Sequence, residues 1–143
     1  MKDDSLLARA VLRNPTFFIF VGIVLAVLVA RSYVALGGNL NYKIGGIVIH
    51  HFFIGIVIVL VSGLIFFPFY KSLSRHYKGM NLMAMLFGFG TGLIIDEANF
   101  LISTGETYSL IKYYSVYNTL VEITVLVAVA AIFLVGLVRS RPK

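Results

Sequence analysis

Stretches without charge divide this chain. Residues 14–30, 44–70, 79–95 and 123–138 contain no Asp, Glu, Lys or Arg. A helix that crosses a membrane needs about 20 mostly apolar residues, within a range of roughly 17–25. The pattern therefore predicts an all-α, four-helix membrane bundle with spans at 15–36, 46–68, 80–103 and 114–138. The punctuation fits. Asn14-Pro15 reads as an N-cap and first-turn pair, Gly37-Gly38-Asn39 closes the first span, and Gly45-Gly46 precedes the second. Pro68 closes the second span, Gly79 precedes the third and Gly105 follows it. Residues 5–13 place Leu6, Leu7, Ala10 and Val11 opposite Arg9 and Arg13, the pattern of a short interfacial helix. The first span reads as a retained signal anchor, because no small-residue cleavage pattern follows it. No internal repeat appears, and residues 1–143 read as one transmembrane domain.

Composition sharpens this picture. The chain is 59% hydrophobic and 13% charged, with a mean hydropathy of +0.95. Soluble domains run about 45–50% apolar and about 25% charged, so a soluble fold and a disordered tail are both excluded. The net charge of +6 would suit nucleic acid only if the cations shared one folded face. They instead follow the loops. Lys2, Arg9, Arg13, Lys71, Arg75, Lys78, Arg139, Arg141 and Lys143 fall on one side of the four spans, and Arg31, Lys43 and Lys112 on the other. Lys/Arg excess marks the cytoplasmic side, so both termini are expected in the cytoplasm and the protein in the cytoplasmic membrane. Absence of Cys removes thiolate metal sites and Cys nucleophiles. Absence of Trp leaves Tyr108, Tyr113, Tyr114 and Tyr117 to form an interfacial belt.

The chemistry lies in the few ionisable groups inside the spans. Asp96 and Glu97 fall in the third, Glu122 in the fourth, and His50 and His51 in the second. Such residues are costly in a bilayer and count as functional candidates by default. With the spans oriented as above, all five lie roughly 6–12 Å beneath the outer boundary, at 1.5 Å of rise per residue. Each helix also carries a polar stripe. Gly88, Gly92, Asp96, Asn99 and Ser103 share one face, as do Tyr114, Asn118 and Glu122, and His51, Gly55 and Ser62. Glu97 lies about 100° around the helix from Asp96 and is placed to reach a neighbouring helix.

Three arrangements neutralise such a cluster. The leading one is a divalent metal (Zn, Fe or Mn) on His50, His51, Asp96, Glu97 and Glu122, with Asn99, Asn118 and Tyr114 supporting the ligands. Glu97 or Glu122 would then serve as base in hydrolytic or redox chemistry. The second is a proton or cation path, making the chain a coupled transport subunit. The third is a set of internal ion pairs, with Arg31 or Lys43 meeting Asp96 or Glu122, in a non-catalytic subunit of a larger membrane complex or in a homo-oligomer. Gly88-x-Gly90-x-Gly92 follows no strand, so it is not a nucleotide loop. Lys71, Arg75 and Lys78 are candidates for anionic headgroups, although a topology signal explains them more simply.

Ile49-His50-His51-Phe52-x-x-Gly55 and Gly88-x-Gly90 followed by Asp96-Glu97 also carry a resemblance. The chain resembles an uncharacterised group of small prokaryotic integral membrane proteins. Their IHHF-x-x-G and G-x-G-x-x-x-x-x-DE motifs lie in successive helices. The resemblance implies a membrane bundle and singles out His50, His51, Asp96 and Glu97. It fades beyond Glu97, so Glu122 rests on its position alone.

Overall fold

A computed structural model describes residues 11–36, 42–44, 47–104 and 116–139. Helix α1 spans Pro15–Ala35. Two short strands follow, β1 at Tyr42–Ile44 and β2 at Ile47–Ile49. Helices α2 at His51–Leu73, α3 at Tyr77–Thr104 and α4 at Val116–Arg139 complete the chain. The start of α1 is as expected: Pro15 opens the first turn, and the Asn14 side chain accepts a bond from the Thr16 N–H at 3.0 Å. Of the predicted interfacial helix, only Val11, Leu12 and Arg13 are described; the first two are helical and Arg13 lies in a turn.

Three boundaries differ from the sequence expectation. The second helix starts at His51, not 46, because residues 42–49 pair as an antiparallel ribbon with Tyr42 opposite Ile49, Lys43 opposite Val48 and Ile44 opposite Ile47. Ile47-Val48-Ile49 is β-branched throughout, which favours a pleated strand over a first helical turn. Pro68 does not close α2, which runs on to Leu73. Proline forfeits one backbone bond, and the turn beyond it is secured by Ser74 N–H donating to Tyr70 at 2.8 Å. Helix α3 begins at Tyr77, so Gly79 lies within its first turn.

Helix α3 is the centre of the packing. Asn81 reaches Leu12 just ahead of α1, and Asp96 reaches Arg31 near its end, so α1 and α3 run parallel. Helix α2 runs antiparallel to both, with His51 beside Asp96 and Gly55 beside Gly90. Phe17 meets Phe133 of α4 with ring centres 5.5 Å apart, which places α4 antiparallel to α1. The buried apolar residues of α1 are small or medium: Ile23, Ala26, Val27, Ala30 and Val34. Glycine makes this closeness possible. A Cβ on Gly88 would collide with the Ile19 carbonyl, and one on Gly90 would stand 2.7 Å from the Gly55 carbonyl.

The outward surface is apolar. Phe53, Val57, Leu60, Val61, Leu64 and Phe67 of α2 are exposed. Three helical stretches, Pro15–Ala35, His51–Leu73 and Tyr77–Glu97, are long and apolar enough to cross a membrane. In α4 the apolar stretch is shorter, Thr119–Val135.

The tight α1–α3 contact is directly testable. Gly88→Ala is expected to cost about 1–3 kcal/mol through overpacking, read as a lower thermal midpoint of the detergent-purified protein. Gly63→Ala is the control: an added Cβ there meets nothing within 4 Å, so stability should hold or rise by up to about 1 kcal/mol. Equal losses in the two variants would contradict the contact.

Candidate functional site

Four of the sequence candidates meet at one end of the bundle. Asp96 and Glu97 are each 1% exposed and His51 4%. Though neighbours on α3, the two carboxylates face different partners. Asp96 points between α1 and α2. Its Oδ1 accepts from Arg31 Nε at 2.8 Å, and its Oδ2 lies 3.0 Å from His51 Nε2. Glu97 points at the start of α2. Its Oε1 lies 2.6 Å from His50 Nδ1, and its Oε2 accepts the Phe52 backbone N–H at 2.9 Å.

The late start of α2 creates this second contact. The first N–H groups of a helix have no partner within the helix. Had the helix begun at 46, Phe52 N–H would have bonded to the carbonyl four residues back. Because β2 ends at Ile49 and α2 begins at His51, that N–H is left for Glu97. The carboxylate thus caps α2 from α3 and sits at the positive end of its dipole. His50 occupies the N-cap position without a side-chain cap bond of its own, so its ring is available to Glu97.

Each of the four carboxylate oxygens therefore has a nitrogen partner. Among the described residues, two carboxylates face one guanidinium and two imidazoles. His51 completes the picture unevenly. Its Nδ1 lies 2.9 Å from Glu97 Oε2 but out of line for a hydrogen bond, and it is buried without a partner. His50 is the outer member of the set, with 21% of its side chain exposed.

The sequence placed His50, His51, Asp96 and Glu97 in one layer, and the structure brings them into contact. Tyr114 and the side chains of Asn99, Asn118, Glu122 and Lys43 lie outside the described residues. Arg31, considered from sequence only as an ion-pair candidate, is a full member of the site. The signal lay in helical spacing, since position 31 follows the buried Val27 by four residues. The backbone N–H of Phe52 was missed altogether, because Ile47–Ile49 was read as the first turn of the second helix and not as a strand.

The expected metal centre is not found among the described residues: no group of three or more His, Asp or Glu side chains there could hold an ion. Spacing gives the reason. Ligand atoms around a tetrahedral zinc stand roughly 3.4 Å apart, given bonds of about 2.1 Å. Here the facing atoms are 2.6–3.0 Å apart, which is hydrogen-bond spacing.

Removing one member of a buried pair strands the other. Asp96→Asn is expected to destabilise the protein by about 3–5 kcal/mol, measured by unfolding in detergent. Arg31→Met should cost less in that variant than in the wild-type chain, because the ion pair the two residues share has already gone. Fully additive losses would contradict the pairing. Comparison of the chain with protein-family models, with curated proteins and with solved structures finds no match.

Proposed function

We propose that this is a multi-pass protein of the cytoplasmic membrane, with both termini in the cytoplasm and the His/carboxylate site beneath the outer face. The apolar exterior of α2 and the excess of Lys and Arg at the opposite end of the bundle support this placement. Within it, the protein acts as a proton-coupled transport subunit. One observation carries that reading: a cluster of proton-exchanging groups in which the partly exposed His50 meets Glu97 at 2.6 Å and His51 stands 2.9 Å from Glu97 and 3.0 Å from Asp96, with the permanently charged Arg31 guanidinium on the far side of Asp96. A proton received at His50 has an acceptor at 2.6 Å in Glu97. His51 stands between the two carboxylates and accommodates it without leaving an uncompensated charge.

Toward the other end of the bundle the chain of groups stops among the described residues. Ser62 donates to Val59 and Thr91 to Phe87, each within its own helix. Within one copy the site therefore exchanges protons with one end only. A second copy of the chain against the apolar face of α2 supplies the rest of the path, so the chain acts as a subunit of a homo-oligomeric carrier.

A specific observation also favours the metal reading as a second choice. The unpartnered His51 Nδ1 and the His50 Nδ1 both face the Glu97 carboxylate. His51 Nε2 is meanwhile backed by Asp96, as in carboxylate–histidine–metal arrangements.

Reconstitution separates these readings. In liposomes carrying a pH-sensitive dye under an imposed potential, the wild-type chain should pass protons. Glu97→Gln or His51→Gln should slow them by about a hundred-fold, as expected for loss of a positioned proton-transfer group. Wild-type flux no greater than that of empty liposomes contradicts the transport reading. One equivalent of metal in the purified protein, lost in His51→Ala/Glu97→Ala, would establish the second reading in its place.

A further inference from the structure

The end of the bundle opposite the His/carboxylate site holds a second polar feature. A cleft of about 530 Å³ opens between the residues leading into α1 and the first turns of α3. Its volume falls within the range of roughly 300–1,000 Å³ typical of small-molecule sites. Arg13, Tyr77, Lys78 and Asn81 form its polar wall, and Phe18 and Met85 lie among its apolar residues. The Arg13 guanidinium stands 5.7 Å from the centre of the Tyr77 ring, a contact that holds a cation at the mouth. Tyr77 and Lys78 begin α3, so the positive end of that helix dipole faces the same space. No carboxylate belongs to the lining among the described residues.

Asn81 gives the cleft a second requirement. It is 6% exposed, and its Nδ2 donates to the Leu12 carbonyl at 2.7 Å. That bond fixes the orientation of the amide, since only the nitrogen can donate to a carbonyl. The remaining atom, Oδ1, is buried and has no partner. A buried acceptor left unmatched costs about 1–3 kcal/mol, and what it lacks is a donor. The cleft thus offers two cations to an anion, and the Asn81 side chain in its lining carries an acceptor that lacks a donor.

We infer that this cleft binds a hydroxyl-bearing phosphate ester, its phosphate held by Arg13, Lys78 and the start of α3 and its hydroxyl donating to Asn81 Oδ1. The chemistry is that of a glycerophosphate group, either on a lipid such as phosphatidylglycerol or as a free soluble ester. The lipid source rests on the membrane placement proposed above, whereas binding of the soluble ester does not. Failure of proton flux at the other end of the bundle leaves both untouched.

The test uses the full chain in detergent, titrated with short-chain phosphatidylglycerol and with phosphatidylmethanol, which has the same charge and lacks the hydroxyls. Native mass spectrometry reads occupancy. Phosphatidylglycerol should bind saturably and about five-fold or more tightly than phosphatidylmethanol, the loss expected from an unmatched buried acceptor. The Arg13→Gln/Lys78→Gln variant, which alters only the wall of the cleft, should bind about 30-fold more weakly, at roughly 1 kcal/mol per cation. Displacement of the lipid by sn-glycerol 3-phosphate at equal concentration would identify the soluble ester as the occupant, and its failure to compete would identify the lipid. Equal affinity for the two lipids, or binding unaffected by the double substitution, overturns the proposal.

Discussion

Burying Asp96 and Glu97 side by side on one helix costs several kcal/mol per ion unless donors meet every oxygen. The arrangement of the other elements follows from how those donors are supplied. α1 brings Arg31, so it runs parallel to α3 with its end at the level of Asp96. α2 brings both imidazoles and a free backbone N–H, so it must start at this level and run the other way. The hairpin at 42–49 stops the helix from starting earlier. Close passage of α1 and α2 over the glycines of α3 lets these donors arrive at hydrogen-bond distance.

Most of this was legible in the sequence, at the level of periodicity. Four apolar runs gave four helices, and a one-turn repeat of small and polar residues gave the face of α3 that carries Gly88, Gly92 and Asp96. Helical phase also separated Glu97 from Asp96, but both reach α2, and only Asp96 reaches α1 as well. Boundaries were less legible, because an apolar run reads alike as strand or helix. Ile47-Val48-Ile49 joined its neighbours in one uncharged stretch, and only the preceding Gly45-Gly46 hinted at a turn. The capping role of Glu97 depended on that boundary and was hidden with it. The leading metal assignment rested on residue types, which are shared by ligand sets and ion-pair networks. The facing nitrogen and oxygen atoms stand 2.6–3.0 Å apart, which is hydrogen-bond spacing.

The two ends of the bundle now have different characters. One encloses two carboxylates, two imidazoles and a guanidinium whose charges compensate internally. Among the described residues, the other presents cations without a matching acid in its cleft, together with a buried acceptor that lacks a donor. The net +6 of the chain is therefore uneven in meaning as well as in place. At the first end charge is consumed by internal pairing. At the second it faces outward, toward whatever lies at that surface.

The central claim is that Asp96 holds the His51 ring through Nε2 while the ring faces Glu97 on its other side. Proton-detected NMR of the histidine-¹⁵N-labelled protein tests this most directly. The account predicts a slowly exchanging, strongly downfield Nε2–H signal from His51 that moves upfield in Asp96→Asn, with a His50 Nδ1–H signal that shifts only in Glu97→Gln. A His51 ring whose nitrogens exchange freely with water, or whose signals ignore both substitutions, would contradict it.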